Sequence, residues 1–202
     1  MLNAADEAGG GEDDVLFPMH RAGEGPIGTS FARRVLGAAL LNAGVYEEVE
    51  ADGRATPQAV AVILLSGAAG GIGLQGVGAV QSLVGGVAVA LVGWVAWAAL
   101  TYLIGTRLLP QPQTRADLSQ LLRTIAFASA PGVLRALGVI PFLGFPIYAV
   151  ASVWMLVAMV VAVRQALDYT STGRAVAVCV VGLALSLILA AIIGVLFAPS
   201  VS

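Results

Sequence analysis

The sequence predicts an all-α fold: a polytopic membrane protein, a five-span helical bundle with an N-terminal amphipathic helix. Three observations support this fold class. Of the 202 residues, 58% are hydrophobic and 11% are charged, whereas about 25% of the residues in a soluble domain are charged. The charges leave long uncharged runs after residue 54. These runs lack the alternation of a β-barrel strand, and a helix satisfies its own backbone hydrogen bonds within a bilayer.

The first part of the chain precedes this bundle. Residues 1–29 are rich in glycine and acidic side chains, show no periodicity and carry no signal-peptide pattern, so we expect a disordered tail. Over 30–52, apolar residues that include Tyr46 recur at helical spacing, and Glu47 and Glu48 lie off their face. This pattern predicts one amphipathic helix along the cytoplasmic surface of the membrane.

Residues 57–198 hold the predicted membrane domain. The uncharged run between Arg54 and Arg107 is too long for one span, since about 20 residues cross the hydrocarbon core, and we divide it near Gln81. A corner at Gly138–Pro141 separates the two spans that come next. The predicted spans are 57–79, 83–105, 118–138, 142–163 and 175–198.

The distribution of arginine predicts the orientation of the bundle. If the N-terminus is cytoplasmic, the outer loops hold no arginine, and the inner segments hold Arg21, Arg33, Arg34, Arg54, Arg107, Arg115, Arg164 and Arg174. This asymmetry agrees with the positive-inside rule, so we expect the C-terminus outside. All basic residues are arginine, a composition typical of GC-rich prokaryotic genomes. We therefore expect the cytoplasmic membrane of a prokaryote.

Two arginines, Arg123 and Arg135, interrupt the third predicted span. A guanidinium group inside a bilayer is costly and tends to mark function, and arginine pairs well with phosphate. One hypothesis is that these side chains hold a lipid headgroup near Pro131, which loosens the helix. The alternative is that they extend to the two headgroup layers, because they lie ~18 Å apart along a helix.

Small residues at four-residue spacing predict close packing between helices. Two interpretations remain open: packing within one chain, or a seam between copies in a homo-oligomer. The small residues are Gly67 and Gly71 in the first predicted span, and Gly182, Ser186, Ala190 and Gly194 in the fifth.

Other classes of function find little support in the sequence. Gly71 to Gly76 match the GxGxxG pattern, but no acidic residue occurs between Gly53 and Ala116, so we expect no dinucleotide cofactor. One cysteine, Cys179, and one histidine, His20, indicate neither a metal cluster nor a nucleophile–base pair, and we expect no enzyme. The chain has no lysine and no cluster of cations, which argues against a nucleic-acid partner.

The order of these features resembles the Yip1 family. The sequence DLSQLLRTIAFASAPGVL begins at Asp117, and IPFLG, IYAVASVWMLVAMVVAVRQAL and GRAVAV follow it, so the resemblance is best over 117–181. It implies a five-span fold without a settled activity. Eukaryotic members associate with one another and with Rab-type GTPases, but their DLYGP signature is absent here. Tyr46, Glu47 and Glu48 occupy a loosely comparable place, which makes them candidates for a cytoplasmic partner surface.

Two functions remain open at the level of sequence. The first is a non-enzymatic membrane scaffold or adaptor, acting in membrane organisation or trafficking through helix packing and its cytoplasmic face. The alternative is a lipid or small-solute translocator built around Arg123, Pro131 and Arg135. A cavity lined by both arginines would favour transport, whereas a filled core would favour the scaffold. The expected partners are membrane lipids and a second copy of the chain or another membrane protein.

Overall fold

The computed structural model describes residues 27–73, 79–140 and 142–196, and every regular element in these ranges is helical. A 3₁₀ helix of ten residues (Ala130–Val139) follows α5, and a π-helical turn (Ile104–Leu108) extends α4. The predicted tail lies outside the described residues up to position 26. The α-helices are α1 (Ile27–Ala39), α2 (Ala43–Ala51), α3 (Thr56–Gly73), α4 (Ala79–Leu103), α5 (Leu118–Ala128), α6 (Gly144–Ala166) and α7 (Thr172–Leu196).

The prediction of one continuous amphipathic helix over 30–52 is wrong, because α1 and α2 are separated by a turn. Leu41 has a positive φ of 62°, and the side chain of Asn42 accepts a backbone N–H from the first turn of α2. Asparagine is favoured at this capping position because it satisfies an otherwise free helix N–H. The two helices fold against each other, and the Tyr46 hydroxyl donates to the Ala38 carbonyl at 2.9 Å.

The third predicted span, 118–138, is not a single α-helix. Helix α5 ends at Ala128, and the chain continues as the 3₁₀ helix. Pro131 explains the change, because proline has no N–H to donate and its ring obstructs the carbonyl four residues earlier. The hydroxyl of Ser129 also donates to the Ala126 carbonyl at 2.6 Å, which competes with the helical hydrogen bond.

Within the described ranges, three helices are long and apolar enough to cross a membrane: Gly53–Gly73, Leu83–Leu108 and Gly144–Ala166. Helix α7 contributes a shorter apolar stretch, Thr172–Ile188. These helices support a membrane protein. The five-span arrangement remains a prediction.

Helix α3 lies at the centre of the bundle and packs against α4 and the 3₁₀ helix. Helix α6 packs against the 3₁₀ helix, α5 and α7, but makes little direct contact with α4. The buried core is concentrated toward the end of the bundle where α1 and α2 lie, around Tyr46, Phe127, Ile104 and Leu167. Since α4 and α6 each pack on other helices but scarcely on each other, the bundle retains a space between them.

Candidate functional site

A cavity of about 1320 Å³ lies between α3, α4, the 3₁₀ helix and α6. It is larger than the ~300–1,000 Å³ of most small-molecule pockets. Its walls are largely apolar and include Trp94, Trp97, Phe145 and Met159. Much of the space exists because α3 and α4 present backbone where other residues would present side chains: Gly67, Gly70, Gly73, Gly85, Gly86 and Gly93 all line the cavity.

The cavity opens between α4 and α6, which scarcely touch each other. Val89 on α4 and Phe145 on α6 line it, and they are 74% and 85% exposed. Both helices belong to the stretches that are long and apolar enough to span a membrane. For a bundle in a bilayer, this opening faces lipid rather than water.

Among the described residues that line the cavity, Arg135 is the one charged side chain. Its Nη2 atom donates to Ser152 Oγ at 3.1 Å, and its guanidinium carbon lies 5.4 Å from the centre of the Tyr148 ring. Its Nε atom is buried and has no hydrogen-bond partner in the described part of the chain. The ion pairs of the described residues join α1 to the α2 region, and Arg135 takes part in none of them.

This arrangement leaves the Arg135 guanidinium in need of an acceptor. Buried charges are normally paired or hydrogen-bonded, and an unsatisfied buried donor costs ~1–3 kcal/mol, more when it is charged. A phosphate or carboxylate group would satisfy it, because an oxyanion accepts charge-assisted hydrogen bonds from the planar fork of N–H groups. The site therefore fits an anion embedded in apolar surroundings.

Tyr148 and Gly73 hold Arg135 in place. The Tyr148 hydroxyl donates to the Gly70 carbonyl at 2.5 Å and so ties α6 to α3. The backbone carbonyl of Arg135 lies so close to Gly73 that a side chain at that position would displace it. Sequence reasoning did not identify Tyr148 or Ser152, although polar groups four residues apart on an apolar helix share a face. Which element that face meets was not readable from the sequence.

Arg123, the other predicted headgroup ligand, lies away from the cavity lining. Its side chain is buried, with Nε donating to the Val49 carbonyl at 3.0 Å and Nη2 donating to the Glu50 carbonyl at 2.5 Å. These carbonyls belong to the last turn of α2, where intrahelical partners are missing and a cation is favoured. The structure thus separates the two arginines, and Pro131 is buried where α5 gives way to the 3₁₀ helix.

The predicted partner surface on α2 is only partly exposed. Tyr46 is fully buried, so its side chain is not accessible for docking. Glu48 accepts hydrogen bonds from Arg33 and Arg34 at 2.7 and 2.8 Å. Burial acts to raise the pKa of the Glu48 carboxyl, but the two arginines outweigh it and lower the pKa. Glu47 is exposed and accepts a hydrogen bond from Gln165.

Three of the small residues, Gly67, Gly71 and Gly182, make close contacts within the chain. A Cβ atom on Gly67 would lie 2.7 Å from Ala90 Cβ of α4, and one on Gly86 would lie 2.8 Å from the Gly71 nitrogen. Gly182 of α7 is buried against Trp97. Ser186 is partly exposed, while the side-chain surroundings of Ala190 and Gly194 lie outside the described part of α7.

The family model of the Yip1 domain matches residues 35–193. No curated protein and no solved structure matches the chain. The match begins within α1, ends within α7 and includes all of the described residues that line the cavity. It confirms the resemblance seen in the sequence.

Proposed function

Since the chain belongs to the Yip1 family of membrane proteins, we propose that it binds a membrane lipid in the cavity between α3, α4, the 3₁₀ helix and α6. One observation carries the proposal: a cavity of about 1320 Å³ with apolar walls is lined by Arg135, whose guanidinium forms no ion pair among the described residues and whose Nε atom is buried without a hydrogen-bond partner there. A lipid supplies both features that this space lacks, apolar chains to fill it and an acceptor for the guanidinium.

The direction of the opening favours a lipid over a water-soluble solute. A polar solute would have to enter from water, whereas the gap between α4 and α6 is bordered by exposed Val89 and Phe145. A lipid would enter sideways from the bilayer. Its chains would gain little by the transfer, because lipid tails are as apolar as the cavity wall. The favourable energy would come from the head and Arg135.

A scaffold or adaptor role is the second candidate, and one observation favours it. Leu36 in the last turn of α1 and Leu40 just after that helix are 63% and 73% exposed. They form an apolar spot beside the Arg33–Glu48 ion pair on the face that we expect to be cytoplasmic. Such a spot suits contact with another protein or with the membrane surface. Translocation through both arginines is less well supported, because Arg123 does not line the cavity.

Native mass spectrometry of the full chain in mild detergent tests the proposal. We expect the purified protein to retain lipid and Arg135→Gln to lose most of it. Arg115→Gln is the matched control, since Arg115 is an exposed loop residue that does not line the cavity. Equal retention of lipid by both variants would contradict the proposal. The same spectra report any oligomer, and a stable oligomer without lipid would favour the scaffold.

A further inference from the structure

Resting on the proposed lipid-binding function, we infer that the ligand is an amphiphile with an oxyanion head and no cation, about the size of a two-chain phospholipid. Its head lies at Arg135 and its chains extend toward Trp97. The observations that carry this are the charge of the cavity, the separation of these two residues and the volume between them.

The polar groups of the cavity select the head. Arg135 provides the positive charge, and no acidic residue is among the described residues that line the cavity. Ser152 Oγ accepts from Arg135, and the Tyr148 hydroxyl donates to Gly70. The ammonium group of a zwitterionic lipid would find no carboxylate here. A phosphodiester or carboxylate head without a cation matches a single guanidinium, which bonds two oxygens at once.

The packing of α3 on α4 gives the length of the site. Gly67 lies beside Ala90, and Gly73 lies beside Arg135. Along α3, Gly73 is ~9 Å from Gly67, and along α4, Trp97 is ~10 Å from Ala90 in the opposite direction. The backbone carbonyl of Arg135 and Trp97 are therefore ~20 Å apart along the bundle, and the Arg135 guanidinium, which donates to Ser152 Oγ, lies within this length. A bilayer has a hydrocarbon core of ~30 Å, or ~15 Å for each leaflet, so the site has room for extended lipid chains.

The volume favours two chains over one. The cavity of about 1320 Å³ exceeds the ~300–1,000 Å³ that accommodates drug-sized ligands. One chain would leave part of the apolar wall to be covered by other lipid tails, whereas two chains of one molecule cover it together. Two chains side by side would contact the glycine wall of α3 and α4 and the side chains of α6.

Quenching of tryptophan fluorescence by brominated lipid tests the head and the chain together. Dibrominated phosphatidylglycerol and dibrominated phosphatidylcholine are titrated separately into the full chain in detergent micelles. We expect saturable quenching by the anionic lipid, with an apparent affinity at least about tenfold weaker in Arg135→Gln, the loss of a charged hydrogen bond. Arg135→Lys keeps the charge without the planar fork and should be intermediate. Replacing both tryptophans of the cavity wall, Trp94→Phe with Trp97→Phe, should remove most of the saturable signal, because Trp154 does not line the cavity.

Each outcome bears on a different part of the inference. Equal quenching by the two lipids would overturn the anionic head and leave the lipid-binding function standing. Saturable quenching that persists when both Trp94 and Trp97 are replaced by phenylalanine would overturn the position of the chains. No saturable quenching by either lipid, together with no retained lipid in the mass spectra, would remove the proposed function as well. Competition by oleate as strong as that by phosphatidylglycerol would contradict the two-chain size while supporting the oxyanion head.

Discussion

Arg123 and Arg135 stand in similar apolar sequence, yet their surroundings give them different roles. Arg123 donates to two carbonyls in the last turn of α2, 73 and 74 residues away along the chain. Arg135 keeps a buried donor without a partner in the described part of the chain. The sequence identifies both residues as unusual, because each places a charge within an apolar run. The sequence could not distinguish their roles, because the partners of Arg123 are distant along the chain and meet it only in the folded protein.

Arg123 should therefore matter for stability rather than for lipid. Because its hydrogen bonds involve a charged donor, we expect Arg123→Gln to lower the free energy of unfolding by about 2–3 kcal/mol. The measurement is the midpoint of thermal unfolding in detergent, with Arg115→Gln as the control. The folded Arg123→Gln protein should retain lipid as the unmodified protein does. An unchanged midpoint, or a folded variant without lipid, would contradict this assignment.

The Glu50 carboxyl, in the last turn of α2, has a raised pKa because of its surroundings. Its carboxyl is partly buried and lies near Asp168 and Glu47. Burial raises the pKa of Glu50 to about 7, the two neighbouring carboxylates add to the rise, and Arg123 opposes it. The ordinary value is 4.5, so the folded protein binds this proton more tightly than the unfolded chain. The resulting stability is fully present below the ordinary value and is lost as the pH rises through about 7.

We expect Glu50→Gln to raise the midpoint of thermal unfolding at about pH 8 and to leave it nearly unchanged at about pH 4.5. The amide cannot ionise, so it avoids the penalty of a partly buried charge at high pH. Unfolding midpoints of both proteins across this pH range provide the measurement. A difference that does not vary with pH would show that Glu50 does not titrate in this way.

The contact between α3 and α4 depends on glycine at particular positions rather than on glycine content. A Cβ on Gly86 would lie 2.5 Å from the Gly67 carbonyl oxygen, which belongs to backbone and has little freedom to move. A Cβ on the adjacent Gly85 would have nothing within 4 Å. The two positions share one helix and differ in whether α3 lies against them.

This pair of neighbours allows a matched test. Both substitutions to alanine gain up to ~1 kcal/mol of helix propensity, so any difference between them reports the contact. We expect Gly86→Ala to lower the thermal unfolding midpoint and Gly85→Ala to leave it unchanged or raise it. If Gly86→Ala instead altered only the oligomeric state, read by native mass spectrometry, the glycines would form a seam between copies.

At the scale of elements, the sequence predicts where the apolar helices lie better than it predicts the breaks between or within helices. The uncharged runs place α3, α4, α6 and α7 close to where they lie, because burial in lipid excludes charge from a helix. The break between α1 and α2 was missed, although Leu40 and Asn42 interrupt the apolar face there. Periodicity averages over such interruptions. The favourable cap at Asn42 and the positive φ of Leu41 end α1 and start α2 at this point.

At the scale of the whole molecule, several contacts gather the arginine-bearing loops at one end. The Tyr169 hydroxyl donates to the Leu109 carbonyl at 2.7 Å, and Arg174 Nη1 donates to the Pro110 carbonyl at 3.2 Å. The Gln165 side chain donates to Glu47 of α2 at the same end. The segments that the positive-inside rule groups in the cytoplasm are therefore neighbours in space.

The cavity is likewise a property of the whole molecule, and the sequence could not reveal it. It exists because α4 packs on α3 and α6 packs on the 3₁₀ helix, while α4 and α6 scarcely contact each other. Apolar composition is the same for a helix face that packs on protein and one that lines a lipid-filled space. Only the relative placement of four elements distinguishes the two cases.

Whether the chain crosses the membrane five times depends on α5 and the 3₁₀ helix. Helix α5 has 11 residues, which extend ~16 Å at ~1.5 Å per residue. The 3₁₀ helix has 10 residues, which extend ~20 Å at ~2.0 Å per residue. The sum of ~36 Å exceeds a hydrocarbon core of ~30 Å. The segment is therefore long enough to span, even though Pro131 prevents one continuous α-helix.

Labelling on either side of this segment tests the span directly. In a Cys179→Ala background, single cysteines replace Gln113, which is exposed in the loop before α5, and Phe142, which is 100% exposed before α6. We expect a membrane-impermeant maleimide to label Phe142→Cys in intact cells and Gln113→Cys only after permeabilisation. Only α5 and the 3₁₀ helix separate the two positions along the chain, so equal labelling of both in intact cells would mean that this segment does not cross. Labelling of Gln113→Cys alone would keep the span and reverse the predicted orientation.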